Sequence, residues 1–373
     1  MADRPLHQLH AVCRQHLDEL RGPFGIWQHA RGIAPDEAHG SCTDDVARAL
    51  AVDLLHGREL GWEAVRADAW RSVAFLRDAQ VDGTGAFRNF RAADGTWLDD
   101  GGSQDSQGRA VLALGTSIQD APDAEAVALC GRLLRDALPV VRRLTALRAI
   151  SSALLGCDAA LDGGPGGGTA ATLEALAATL RQAFATVDLD GDWPWPEPVL
   201  TYENALLPRA LIVAGVRLGD EGLVRTGLRV LDWLIAVQTA PDGTFSPVGC
   251  TGWWRRGGTR STFDQQPIEA TATIMAARTA LEVTRDARYR SAAEAAFGWF
   301  LGDNIVGIPV ATPGTGGCHD GLAPRHVNGN QGAESTLMWL TAVEFMRAIR
   351  AVPAAPAPSR ARGRQPVLAG ARS

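Results

Sequence analysis

The chain has 373 residues, 46% of them hydrophobic, and a formal net charge of −6, a balance that supports a sizeable core. All 36 Lys-plus-Arg positions are Arg, which excludes Schiff-base chemistry on a lysine amine and a phosphate-loop lysine. The pI of about 5.8 comes with no basic stripe for nucleic acid, and no apolar run reaches the roughly 18 residues of a membrane span.

The first residues, Met1-Ala2-Asp3-Arg4-Pro5, have no basic segment leading into an apolar one, so no secretory leader and a cytoplasmic location are expected. The six cysteines (Cys13, Cys42, Cys130, Cys157, Cys250 and Cys318) are scattered without a CxxC pair. Reduced thiols are expected from this spacing, with neither a disulfide frame nor a structural metal, and no cofactor is called for.

Helical periodicity starts at residues 5–21, where Leu6, Leu9, Val12, Cys13, His16 and Leu20 share one face. Thr43 is a plausible N-cap for the next helix, with Asp44 and Asp45 at the positive end of its dipole. Further helices are predicted at 62–79, 104–118, 122–143, 145–162, 168–188, 202–218, 220–238, 266–284, 286–302 and 331–350, twelve in all. Alternating β-branched runs are few, so the class is all-α.

Short joins alternate with long ones rich in Gly, Trp and Asp, at 22–42, 82–103, 189–201, 241–263 and 303–330. Such long joins in a compact domain are usually functional. The second helix of each pair starts near 43, 104, 145, 202, 266 or 331, an internal repeat of hairpin size. These helices have small apolar middles, such as Val46-Ala47-Arg48-Ala49 and Ala270-Thr271-Ala272-Thr273, whereas the intervening ones carry Arg and Glu on one face. Inner and outer helices by turns predict an (α/α)6 toroid, one domain over residues 1–350, with the long loops on one face. The 145–162 helix lacks a long loop, so the rim is lower there. An open helical solenoid is the alternative. Residues 351–373, rich in Ala, Pro and Arg, read as a disordered tail.

Polar groups gather at the starts of the inner helices: Cys42-Thr43-Asp44-Asp45, Ser103-Gln104-Asp105-Ser106-Gln107, Thr201-Tyr202-Glu203-Asn204, Asp264-Gln265-Gln266 and Asn330-Gln331-Gly332-Ala333-Glu334, with His319-Asp320 just ahead of the last. Helix capping explains single Asp, Ser and Thr residues here, but not the amides Gln265, Gln266 and Gln331, nor five junctions alike. The same loops hold Trp27, Trp97, Trp193, Trp195, Trp253 and Trp254. Flat aromatic faces beside carboxylates and amides suit a pyranose ring, whose C–H face stacks while its hydroxyls need directed partners. Trp62, Trp70, Trp233, Trp299 and Trp339 fall within helices and read as core.

Several of these stretches also resemble a known family. Gly25-Ile26-Trp27-Gln28-His29-Ala30, Cys42-Thr43-Asp44-Asp45-Val46-Ala47-Arg48, Asp105-Ser106-Gln107-Gly108-Arg109, Trp193-Pro194-Trp195 with Tyr202-Glu203-Asn204, Phe263-Asp264-Gln265-Gln266-Pro267 and Asn330-Gln331-Gly332-Ala333-Glu334-Ser335 are similar to motifs of a bacterial family of (α/α)6 glycosidase-like proteins. The resemblance spans about residues 6–348. Members stand alone or fused behind glycosyltransferase domains, so the resemblance implies the toroid, a saccharide ligand and a functional link to a glycosyltransferase. At Asp105-Ser106-Gln107 the chain departs from relatives, which often carry Asn-Tyr or a similar pair.

The leading expectation is a glycoside hydrolase, which needs two carboxyl groups about the glycosidic oxygen. Glu203, beside Tyr202 and the Trp193/Trp195 loop, is the predicted acid, and Asp264, flanked by amides, the predicted base or nucleophile, with Asp45 and Asp105 in reserve. Arg48 and Arg109 are placed to hold the latter two. Asp44, Asp320, Gln331 and Glu334 are expected to bind hydroxyls. The alternatives are a sugar epimerase using His29 with His319 or His326, a phosphorylase with phosphate on Arg88, Arg91, Arg255, Arg256 or Arg325, and a non-catalytic saccharide-binding protein.

Overall fold

In the computed structural model, residues 6–164 and 166–352 are described, so the predicted tail beyond Val352 lies outside the described residues. The inner helices are α2 (Thr43–Leu60), α4 (Gln104–Asp120), α6 (Leu147–Asp162), α8 (Leu206–Leu218), α10 (Pro267–Thr284) and α12 (Ala333–Ala351). Each packs on the next, and α12 returns to α2, so the ring is closed and the solenoid alternative falls. Outside them lie α1 (Gln15–Glu19), α3 (Arg66–Ala79), α5 (Ala124–Val141), α7 (Thr169–Phe184), α9 (Glu221–Val237) and α11 (Ala287–Phe300). The chain is an all-α (α/α)6 toroid.

Small residues set the inner spacing. A Cβ on Gly115 would lie 1.9 Å from the Gly156 carbonyl oxygen, so α4 and α6 cross backbone to backbone there. Asp123, Asp220 and Asp286 cap the outer helices α5, α9 and α11 through backbone N–H groups. Trp299, Trp339, Tyr289, Phe297 and Phe300 are fully buried where α11 meets α12, as expected for helix-borne aromatics.

The helices expected at 62–79 and 168–188 run only over Arg66–Ala79 and Thr169–Phe184, and two others differ for reasons their contacts show. The first shrinks to α1, and residues 6–14 run as irregular chain. Arg350 Nη1 donates to the His7 carbonyl at 2.7 Å and Arg347 Nη2 to that of His10 at 3.3 Å, so these carbonyls are taken by α12. Leu6, predicted to face the core, is 66% exposed. The α8 helix starts at Leu206 rather than 202 because Glu203 has φ of 49°, outside helical space, and Asn204 bonds back to Thr201 through both side-chain atoms.

The long loops are stitched by antiparallel two- and three-residue ladders. Within single loops, β1 (Arg21–Gly22) pairs with β2 (Gly25–Ile26), β3 (His29–Arg31) with β4 (Ala34–Asp36), and β9 (Ala311–Thr312) with β10 (Gly317–Cys318). Between loops, β5 (Ser41–Cys42) pairs with β6 (Phe90–Arg91), and β7 (Val199–Leu200) with β8 (Trp254–Arg255). Gln265 bridges to Leu322 in the same way. Among the described residues no helix is long and apolar enough to cross a membrane.

Candidate active site

The inner helices all start at one mouth of the ring, and a cavity of about 500 Å³ opens there. Its acids are Asp44 and Asp45 from α2, Asp105 from α4, Asp320 from the last long loop, and Glu334 from α12. Arg48 and Arg109, one turn further down α2 and α4, form the floor. Tyr202, Trp253 and Phe90 supply ring surface, and Phe90 is 44% exposed, which marks it as an open platform.

The two arginines organise the acids differently. Arg48 Nη1 bonds Asp45 Oδ1 at 2.8 Å, as expected, and its Nη2 lies 2.7 Å from Glu334 Oε2. Burial still dominates at Asp45; with the charges of Glu334 and Asp44 it outweighs Arg48 and pushes the carboxyl up to about 6. Arg109 does not take Asp105. Its Nη1 and Nη2 grip the Glu203 carboxylate at 3.3 and 2.5 Å, and its Nε lies 3.4 Å from Asp44 Oδ1. Burial works to raise Glu203, but Arg109, with Arg48 and Arg148 nearby, wins and holds it below the ordinary carboxylate range. The expectation of a protonated Glu203 is therefore reversed. Asp105 is instead met by the Tyr202 hydroxyl, which donates to Oδ2 at 2.5 Å. Burial and that bond push the phenol above its ordinary value.

Asp320 accepts from Ser335 Oγ at 2.7 Å and from Asn330, and burial raises it. Below the cavity a polar hub fixes the Tyr202–Asn204 turn. Arg148 donates to the Tyr202 carbonyl at 2.5 Å, to Glu197 at 2.9 Å and to Asn204 at 3.1 Å, and its guanidinium stacks on the Tyr202 ring. Glu269, desolvated and pushed up to about 7, accepts from the Asn204 backbone and amide. On the other wall Asp99 accepts from the N–H groups of Asn89, Phe90 and Gly102. Burial opposes its charge, but those N–H groups hold it below the usual range.

Several predicted site residues lie elsewhere. Asp264 does not line the cavity, and the Gln265 amide donates to Ser246 and Thr262 while its oxygen accepts from Trp299. Gln265 is thus a buried brace rather than a donor to Asp264. Trp193 stands edge-on to Trp233 and Trp254, and with the buried Trp195 these indoles plug the loop instead of facing the cavity. Asn204 is consumed by the hub. Gln331 is buried and accepts from Thr312 at 3.0 Å, while Asn330 bonds Ala30 N and Asp320. Gln266 does line the cavity. Of the histidines only His29 lines it; His319 Nδ1 is 2.7 Å from the Asn328 carbonyl, and His326 is exposed. The loop arginines are also off the cavity, and Arg91 stacks on Phe24, Phe75 and Trp97. Gln107 proves structural, bonding both Phe87 backbone groups and the Gly101 carbonyl.

Sequence reading missed Phe90, Asn89, Arg148 and Glu269. Glu269 sits in the first turn of α10 beside the recognised Gln265-Gln266, the only signal available. Phe90 carries no motif, and its pairing with Cys42 and its N–H bond to Asp99 bring it to the wall.

The ring and its lined mouth define an (α/α)6 toroid of the kind found among sugar isomerases, epimerases and glycosidases. A sugar epimerase from a ruminal bacterium has this fold with a TM-score of 0.71, 14% identity, and coverage of 91% of this chain and 98% of that one. A D-mannose isomerase gives 0.69 at 11% identity over 90% and 94%. An α-mannanase from Bacteroides thetaiotaomicron gives 0.64 at 9% identity over 90% and 94%. No protein-family model and no curated protein matches the chain.

Proposed function

We propose that the chain is a carbohydrate-active enzyme that cleaves a glycosidic bond by carboxyl chemistry, with Asp45 as the proton donor and Asp105 as the base or nucleophile. The observation that carries this reading is the convergence of five acids from separate stretches of chain on one aromatic-walled cavity. Asp45, pushed up to about 6 by burial and the neighbouring Glu334 charge, holds its proton well above the ordinary carboxylate range. Asp105 stands on the adjacent inner helix, oriented by the Tyr202 hydroxyl. Proton transfer from Asp45 to the leaving oxygen would accompany attack directed or made by Asp105. Asp44, Asp320 and Glu334 are hydroxyl acceptors, and Phe90 with Trp253 are stacking faces. A glycosyltransferase acting on the same saccharide is the expected functional partner, and the cytoplasm the expected site of action.

The test is a panel of aryl glycosides and oligosaccharides, with and without phosphate, read by product chromatography. Turnover lost in Asp45→Asn and Asp105→Asn is the expected result, and phosphate-dependent products would convert the reading to phosphorolysis. Saccharide binding without turnover of any panel member overturns it.

A second reading, epimerisation, draws on the epimerase and isomerase among the fold neighbours. It needs a base beside the substrate carbonyl, and His29 is the one candidate histidine on the cavity wall. Solvent deuterium entering the recovered sugar, lost in His29→Ala and kept in Asp45→Asn, would favour it.

A further inference from the structure

Below the floor of the cavity the ring encloses a chamber of about 70 Å³ on its axis. Its walls are mostly alanine, leucine and methionine side chains, and its only charged groups are Arg48, Arg109, Arg209 and Glu203. Three guanidinium groups thus face one carboxylate. Glu203 is engaged by Arg109, and Arg48 reaches up to Asp45 and Glu334. Arg209 is left over. Among the described residues no carboxylate lies within ion-pair distance of it, and its Nε is buried without an acceptor. Its aromatic neighbour Phe345, 5.8 Å from the guanidinium carbon, offers a ring face rather than an in-plane acceptor.

The Nε of Arg48 is a second orphan, also buried without an acceptor. Arg48 stands on α2 and Arg209 on α8, three hairpins apart in a six-hairpin ring, so they reach the axis from opposite sides. A guanidinium without a carboxylate partner beside a nearly apolar chamber is costly unless an anion accepts from it. Burial, reinforced by the nearby Arg278 charge, pushes Arg209 down to about 10. The chamber shares Arg209 and Met275 with a cavity of about 380 Å³ at the opposite mouth, formed mostly by the C-terminal halves of the inner helices.

We propose that the axial chamber is a binding site for a halide ion, chloride under ordinary conditions, held at the Arg209 guanidinium with Arg48 across the axis. A monovalent ion matches the surplus of one cation. The few donors and the apolar walls fit a halide better than a phosphate, whose oxygens would each need a partner.

The test uses the full chain. Melting is followed in sodium chloride against sodium gluconate at equal ionic strength, and the expected result is a saturable rise on the order of 3 °C. Arg209→Gln abolishes that response, and in gluconate it melts no lower than the parent, because a half-buried charge without a carboxylate partner has been removed. Crystals of the parent soaked in bromide should show anomalous density in the chamber. Identical melting in both salts, bromide-soaked crystals with only water there, or protection by phosphate without protection by halide would each overturn the proposal.

Discussion

The two mouths of the ring are built from the opposite ends of the same six helices, yet their charges are arranged by different rules. At the distal mouth joins are short and, Arg209 apart, its arginines are paired, with Arg58 on Asp120 at 2.6 Å, Arg217 on Asp158 at 2.6 Å and Arg278 on Glu282 at 2.8 Å. At the loop-bearing mouth five acids meet two arginines, and aromatic rings stand open. Matched charges at a surface contribute little and ask nothing of a ligand. An excess of acids in a walled cavity raises the energy of the empty protein and is relieved by a proton or a hydroxyl-rich ligand.

The largest effect that sharpens this contrast is catalytic. Asp45→Asn and Asp105→Asn should each lower kcat by roughly 10²–10⁴-fold with the fold intact, measured on any substrate the panel identifies. Next is stability inside the loop-bearing half. Glu203→Gln breaks a buried bidentate pair and leaves Arg109 with Asp44 alone, so denaturant unfolding should show a loss of about 3 kcal/mol.

Asp45 behaves in the opposite sense. It titrates near 3.8 when unfolded and at about 6 when folded, so the native state binds more protons in that window. Stability therefore falls by about 3 kcal/mol as pH rises through it, and stays lost above. Asp45→Asn should accordingly melt higher than the parent at pH 8, with the gap closing at pH 4, while kcat/KM of the parent falls as pH rises past about 6. Smaller still, Phe90→Ala and Trp253→Ala should each raise KM about tenfold with little change in kcat. Smallest, Arg58→Ala at the distal mouth should change stability by less than about 1 kcal/mol and leave turnover unchanged. Loss of turnover there would break the contrast between the mouths.

Much of the architecture was legible because it is written in periodicity and residue size. The small centres of α2, α4 and α10 marked them as inner, and the long joins marked the face that carries the site. The first helix was misjudged because its apolar spacing is sound, while the arginines that claim its carbonyls lie more than 300 residues away on α12. Site chemistry was legible by position but not by direction. Asp45 and Asp105, read as reserves, sit on the first turns of inner helices and line the cavity. Glu203 was ranked above them for its aromatic neighbours, but its electrostatics are decided by Arg109, a contact across 94 positions. The tryptophan loops illustrate the same limit. Trp193 and Trp254 are adjacent to polar motifs in sequence, yet they turn toward Trp233 and pack, because a buried ring face gains more than an exposed one.

The short ladders between loops have an evolutionary corollary. Cys42 is paired with Phe90, and Leu200 with Trp254, so these four segments of the rim form two stitched units whose halves belong to different hairpins. Selectivity in such a scaffold cannot be transplanted one segment at a time: a graft replacing 82–103 without its complement at 41–42 leaves backbone groups unmatched and releases the ring that walls the cavity. Homologous scaffolds that diverge in preference should do so by exchanging these stretches as couples.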